Sequence, residues 1–407
     1  MIMAEGGIRD DAKRGKLRIL TLNNISSQGL QRFPAERYLA ESELEEPDAI
    51  LVRSHNMHDF ELPGTVKAIG RAGAGTNNIP VARMSERGVP VFNTPGANAN
   101  AVKELVLAAL LMAARNLTDA VRFVDTVQGS DEEINRVVEA SKKKFAGVEL
   151  PNRTLGVIGL GKIGSLVADA AIRLGMNVWG YDPNITVDAA WSLPAQVQKA
   201  NSIEQLLRKC EFLTVHVPLL DSTRGLINAG RLAMMNPGSV VLNFARDGVV
   251  DSEAVLAALN AGHLKYYVCD FPSSRFKGSS RVIALPHLGA STREAEENCA
   301  VMVVDQVRDY LEHGNIRHAV NFPEVSMARE SPYRLGVANS NVPNMVSQIS
   351  SAVADAGLNI HNMINKSRDD MAYTLVDVDS AVPTGVINAI ENIAGVLMVR
   401  YLPLEGG

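Results

Sequence analysis

Arg246 and His287 each stand where a short apolar run gives way to polar residues. Arg246 lies in NFARDGVVD (243–251), just after SVVLNF (239–244), and His287 lies in PHLGAST (286–292), just after RVIAL (281–285). A guanidinium can clamp a carboxylate through two hydrogen bonds and polarise an adjacent carbonyl. A neutral imidazole, with a pKa near 6.5, can exchange a proton around pH 7. Oxidation of an alcohol needs such a base and such a clamp, together with a hydride acceptor. Taken singly, each residue also reads as an ordinary surface group, a salt-bridging arginine or a histidine at a strand end.

The acceptor has its own motif. GVIGLGKIG places Gly159, Gly161 and Gly164 in the G-x-G-x-x-G spacing, after a predicted strand and before the predicted helix KIGSLVADAAIRLG. Gly159 permits a tight turn, Gly161 lets a pyrophosphate approach the backbone, and Gly164 lets helix and strand pack closely. The helix N-terminus attracts the phosphate charge. Asp182 follows 18 residues after Gly164, at the end of NVWGYD (177–182). A carboxylate there accepts both adenine-ribose hydroxyls and repels a 2′-phosphate, so NAD is expected rather than NADP. The alternative is a sharp turn with no ligand.

Positioning these residues takes two successive α/β units. KLRILT (16–21), DAILV (48–52), VKAIG (66–70) and VPVFN (89–93) predict strands, with VARMSERG (81–88) helical between them. ANAVKELVLAALLMAAR (99–115) predicts a long apolar helix, either a spacer between domains or an interface helix. TLGVIG (154–159), NVWGYD, FLTVHV (212–217), SVVLNF, YYVCDF (266–271) and RVIAL predict the strands of a second unit. Continuous apolar strands of this kind suit a parallel sheet covered on both faces. SEAVLAALNAG (252–262) is an amphipathic helix ending at glycine. The segment 293–314 reads as one long helix returning to the first unit.

Beyond NFPEV the order becomes βαββαβ. The helix VPNMVSQISSAVADAG carries Met345, Ile349, Val353 and Ala356 at apolar spacing. Such a domain is expected to have one half-exposed sheet and to pair with another copy, because its core is small.

The 407-residue chain suits two or three domains, and its 46% apolar fraction and 32 glycines fit an α/β protein. A net charge of -5 gives no basic excess for a nucleic-acid surface. The three cysteines, Cys210, Cys269 and Cys299, form no metal pattern and are expected to be buried. No signal peptide or charge-free apolar run of membrane-spanning length is read, so a cytoplasmic protein without membrane contact is expected.

The motifs LVRS (51–54), GRAGAGTNNI (70–79), FNTPGANANAVKELVLAALL (92–111), GVIGLGKIG, HVPLLDSTRGLI, NFARDGVVD and PHLGAST occur together and in order from about residue 17 to 322. In this the sequence resembles the D-isomer-specific 2-hydroxyacid dehydrogenase family, most closely its members acting on 3-phospho-D-glycerate. The resemblance implies two Rossmann-like, doubly wound parallel-sheet domains around a cleft. Residues 1–16, polar and glycine-bearing, read as a flexible extension, and the expected boundaries beyond it are a discontinuous substrate domain over 17–98 and 291–322 and an NAD-binding domain over 99–290. The resemblance makes Arg246 the orienter of the substrate carboxylate and His287 the acid/base. It places Asp182 on the adenine ribose and Asp270 near the nicotinamide amide. Lys162, Ile163, His216, Pro218, Thr223, Ala245 and Gly289 join Gly159, Gly161 and Gly164 in the cofactor set. Arg53 and Ser54 would hold a phosphate, the backbone of Ala72 and Gly73 the carboxylate end, and Asn98 would line the cleft. No metal is implied.

One family feature is missing. The glutamate that normally pairs with the histidine is absent from CDFPSSRFKGSSRVIALPH, and Arg275 falls at its place. A cation there would depress the histidine pKa unless the loop shifts it away. The basic run SKKKFAG (141–147) reads as a solvated turn, or as an attractor of a phosphate substrate through Lys142, Lys143 or Lys144.

The tail, over 333–407, resembles the ACT domain, a small ferredoxin-like amino-acid-binding module for regulation or assembly. In its first loop, ANSNVPNMV, Asn341 and Pro343 match the family. Asn339 replaces a histidine, Asn344 replaces a glycine, and Asn359 matches a second ligand-facing asparagine. Asn339, Asn341 and Asn359 are therefore candidate effector residues, and the pocket is read as binding serine weakly, binding another small amino acid, or serving only for assembly. A homodimer or homotetramer is expected. The functional expectation is NAD-dependent oxidation of 3-phospho-D-glycerate. The alternatives are another 2-hydroxyacid dehydrogenase, acting on glycerate or hydroxypyruvate, and a non-enzymatic NAD-sensing protein.

Overall fold

The computed structural model describes residues 15–404, so the extension expected over 1–16 lies almost wholly outside the described residues. Strands β1 (Leu17–Leu22), β2 (Tyr38–Glu41), β3 (Ala49–Val52), β4 (Ala68–Arg71) and β5 (Val91–Phe92) form a parallel sheet in the order β2-β1-β3-β4-β5. A second parallel sheet holds β6 (Thr154–Ile158), β7 (Asn177–Tyr181), β8 (Gln198–Lys199), β9 (Phe212–Val215), β10 (Ser239–Asn243), β11 (Leu264–Cys269) and β12 (Val282–Ala284). Its order is β12-β11-β10-β9-β6-β7-β8. Both are doubly wound, reversing direction beside the first strand of each sheet. An antiparallel sheet of β13 (Tyr333–Ser340), β14 (Ile360–Arg368), β15 (Met371–Val378) and β16 (Val396–Pro403) closes the chain in the order β14-β15-β13-β16. This is the ferredoxin-like, ACT-type arrangement.

The chain divides into two compact units. One runs to Ala97 and resumes at Glu296, and the other spans Asn98–Ala295. In the first, the helix Arg293–His313 buries Val303, Val304, Val307 and Tyr310 against Ile19, Leu51 and Ala68 of the sheet. In the second, the helix Ala99–Ala114 lays Val102, Val106, Leu110 and Ala113 on the sheet residues Leu155, Val157 and Val268. It is a covering layer of this sheet rather than a spacer. The largely apolar strands β3 (AILV), β9 (FLTV) and β10 (SVVLN) are buried at every position, as strands covered on both faces require.

The C-terminal sheet departs from the half-exposed expectation. One face packs under the helices Met345–Asp355 and Thr384–Glu391 through Leu335, Val337, Ile349, Val376 and Ile390. From the other face, Ala338, Tyr373 and Leu375 join the core around Tyr310. Arg334, fully buried, donates to both carboxylate oxygens of Asp377 (2.6 and 2.8 Å) and to the carbonyls of His313, Met327 and Ala328. Arg400 donates to the carbonyls of Tyr310 and Leu311, the last turns of the long helix. These polar anchors explain why both middle strands lose their solvent face. Among the described residues, no helix is long and apolar enough to cross a membrane. Cys210, Cys269 and Cys299 are buried and unbridged.

Candidate active site

Strand register aligns the candidate residues. Ile158 of β6 lies opposite Tyr181 of β7 and Val215 of β9, so Gly159, Asp182 and His216 emerge side by side at the carboxyl ends. This is the reversal point of the sheet, where open α/β sheets bind ligands. Gly159 has φ +89°, and a Cβ there would fall 2.7 Å from the His216 carbonyl. At Gly164 a Cβ would lie 1.9 Å from the Gly159 carbonyl oxygen, so only glycine lets this helix meet the strand. A Cβ at Gly161 would meet nothing within 4 Å. The open space there adjoins the N-terminus of the helix Lys162–Arg173, whose first turn includes Ile163. Asp182 accepts hydrogen bonds from the Leu160 and Asn184 N–H groups, both at 2.9 Å. That fixes a carboxylate beside the glycine turn with lone pairs to spare. This glycine cradle, helix terminus and carboxylate fit a dinucleotide.

His216 is half-buried, with its ring nitrogens shielded from solvent. Nε2 lies 2.9 Å from Thr214 Oγ1, and Nδ1 has no partner. Burial pushes its pKa down to about 4, so the ring is neutral at pH 7. Thr223 Oγ1 donates to the Pro218 carbonyl (2.5 Å) and accepts from the Leu220 N–H (2.8 Å), closing the loop after β9.

A second alignment sets the chemistry. Asn243, Cys269 and Ala284 are in register at the ends of β10, β11 and β12. Arg246, Asp270 and His287 therefore follow the carboxyl ends of three neighbouring strands. Asn243 is buried; its Nδ2 donates to the Arg246 carbonyl (3.0 Å), and its Oδ1 accepts from the Ala245 N–H (3.1 Å). Sequence reasoning passed over this residue, although a polar side chain closing an apolar strand was its visible signal. The exposed Arg246 donates to the Ala245 carbonyl (2.7 Å) and pairs with no carboxylate among the described residues.

Asp270 is 3% exposed, and its two oxygens accept the N–H groups of Leu288 and Gly289, both at 2.7 Å. Between this anchor and β12, His287 takes φ +58°, a left-handed conformation that non-glycine residues seldom adopt. Its ring is exposed and meets Phe271 edge-on, with centroids 5.4 Å apart. No carboxylate contacts it among the described residues. Arg275 turns instead toward Glu253, with Nε 3.4 Å from Oε1, so no cation takes the place of the missing glutamate.

In the other unit, Val52 is in register with Leu22 and Arg71, so Asn23, Arg53 and Ala72 end adjacent strands. Asn23 Oδ1 accepts the Ser54 N–H (3.1 Å) and fixes the turn after β3. Arg53 pairs with Glu296 at 2.7 Å. The N–H of Ala72 is spent on the Val52 carbonyl and that of Gly73 on the Arg71 carbonyl, both at 2.8 Å. Asn98 precedes the helix Ala99–Ala114 without capping it through its side chain.

In the C-terminal sheet, Asn339 and Asn341 line a cavity of about 150 Å³ together with Asn344 and Asn365. Asn339 is fully buried, and its Oδ1 lacks a partner. Asn344 holds φ +68°, the conformation the family's glycine favours. Asn359 is not part of the lining; its N–H is bound to Asp379.

The profile of the D-isomer specific 2-hydroxyacid dehydrogenase, NAD binding domain, matches residues 107–289. The D-3-phosphoglycerate dehydrogenase of Haemophilus influenzae is 32% identical over 82% of this chain and 81% of its own length. That of Methanocaldococcus jannaschii is 33% identical over 78% of this chain, which spans only 59% of that relative's length. Among solved structures, the NAD+-bound 3-phosphoglycerate dehydrogenase of Entamoeba histolytica superposes with a TM-score of 0.57 at 23% identity, over 75% of this chain and 99% of its own. Rhodotorula graminis D-mandelate dehydrogenase gives 0.63 at 23% identity, over 77% and 99%, so this likeness is one of fold. The glycine cradle, the aligned strand ends and these relatives together place the chain in the D-isomer-specific 2-hydroxyacid dehydrogenase family, with an NAD-binding domain.

Proposed function

We propose that this chain oxidises 3-phospho-D-glycerate to 3-phosphooxypyruvate with NAD, the reaction that opens serine synthesis. The observation that carries the reading is Arg246, without a carboxylate partner among the described residues, and a His287 turn anchored by Asp270, at the carboxyl ends of β10, β11 and β12 of an NAD-binding sheet. Bound NAD supplies the acceptor for the hydride leaving C2. Arg246 holds the C1 carboxylate with two hydrogen bonds and polarises the C2 oxygen. His287 takes the hydroxyl proton on its ring and, being exposed, passes it to water. Arg53 and Ser54 take the phosphate. The Arg53–Glu296 pair is partly exposed on both sides, and such pairs contribute about 0–1 kcal/mol, so a dianionic phosphate displaces Glu296 readily. The names of the curated relatives support the phosphorylated substrate.

Replacing Arg53 with Gln tests this choice. KM for the phosphorylated acid should rise roughly tenfold or more, from the loss of a charge-assisted contact, while KM for glycerate stays unchanged. Equal KM values for both proteins on the phosphorylated acid would refute the phosphate contact. The absence of a carboxylate at His287 favours one competing reading, an NAD-binding protein without turnover. The amide-lined cavity supports an amino-acid effector such as serine at Asn339 and Asn341. Leu117, Val121 and Val124, all exposed on one helix, support self-association as a homodimer or homotetramer. A cytoplasmic location belongs to the same reading.

A further inference from the structure

The opposite end of the NAD-binding sheet carries a second polar cavity that the reaction does not use. It has a volume of about 430 Å³ and is lined by Asn116, Asp119, Lys144, Lys265, Tyr266 and Arg281, among others. Lys265 is the second residue of β11 while Asp270 follows its end, which separates the two sites by roughly 17 Å along the strand. Three cations thus face one carboxylate. Asp119 is already engaged, accepting from the Tyr266 hydroxyl at 2.7 Å and lying 3.8 Å from Arg122. Lys144 and Lys265 have no carboxylate partner among the described residues. Arg281 spends one nitrogen on the Leu259 carbonyl (2.9 Å) and has others to offer. Burial pulls the Lys265 ammonium pKa down, and its Nζ lies 5.6 Å from the centroid of the Tyr266 ring.

A second observation points to what completes the site. Asn116 is 8% exposed and takes φ +52°, and its Nδ2 is committed to the Phe145 and Ala146 carbonyls. Its Oδ1 is buried with no partner. Phe145 walls the same cavity.

We propose that this cavity binds a small, doubly charged oxyanion of the phosphate type, held by Lys144, Lys265 and Arg281. Two sources share this chemistry, free phosphate and a phosphorylated hydroxy compound.

The test uses the full chain carrying Arg53→Gln, with saturating NADH, so that neither the proposed substrate site nor the dinucleotide cradle takes up phosphate. Titration calorimetry with inorganic phosphate and with glycerol phosphate should show binding to one site. Adding Lys144→Met and Lys265→Met should weaken it by roughly tenfold or more, while NADH binding persists as the control on folding. Tighter binding of glycerol phosphate would identify a phosphorylated hydroxy compound, and equal binding would identify free phosphate. No uptake by the Arg53→Gln chain in the millimolar range, or uptake indifferent to both lysines, would overturn the proposal. Either failure leaves the dehydrogenase reading untouched, because none of Arg246, His287, Arg53 and Ser54, which carry that reading, lines this cavity.

Discussion

Replacing Asp270 with Asn removes the charge that shapes the His287 turn and changes almost no volume. The carboxylate receives two backbone N–H donors at 2.7 Å, and hydrogen bonds to a charged group contribute about 1.5–3 kcal/mol each. An asparagine can accept only one of them, and its own NH2 then faces the other donor. The turn loses about 3 kcal/mol of support, while a left-handed histidine costs on the order of 1 kcal/mol to hold. The turn should therefore relax and carry the imidazole off its productive position, lowering kcat by roughly 10²-fold. Steady-state NADH formation reads kcat, and urea unfolding verifies that the fold persists. Because Asp270 acts on kcat through His287, adding Asp270→Asn to His287→Ala should leave kcat at saturating NAD unchanged, a contact of Asp270 with the nicotinamide amide showing in the KM for NAD instead. A single variant retaining kcat within about twofold of wild type, or a double variant well below His287→Ala, would refute the positioning argument.

Two further outcomes follow from buried groups. His216 has a folded pKa of about 4 against about 6.5 unfolded, so the unfolded chain binds the extra proton first. Stability is full above pH 6.5 and falls as the pH drops toward 4; between pH 7.5 and 5 this histidine should cost about 2 kcal/mol, and His216→Asn should remove that share of the slope in urea titrations. Breaking the buried Arg334–Asp377 pair by Asp377→Ala strands a guanidinium, and thermal or urea unfolding should show a loss of about 3–5 kcal/mol.

Much of the fold was legible because parallel strands buried on both faces are continuous apolar runs, as in AILV and SVVLN. The strand Tyr38–Glu41 escaped notice because its pattern is only partly buried, and Gln198–Lys199 because both residues are exposed. The helices Leu117–Thr126 and Asp131–Ser141 bury no side chain and so leave little apolar signal. Among site residues, those with a fixed spacing, such as Gly159, Gly161 and Gly164, could be read directly. The clamp of Asp270 on the Leu288 and Gly289 backbone could not, since it depends on the register of β11 with β12. The departure of Arg275 toward Glu253 likewise depends on a loop path that residue counting does not encode.

The most direct measurement is NADH formation by the wild type and by His287→Ala, with 3-phospho-D-glycerate against glycerate and D-lactate. Strong preference for the phosphorylated acid, with turnover lost in the variant, is the predicted result. NAD binding without turnover on any of the three acids, or turnover indifferent to His287, would contradict it.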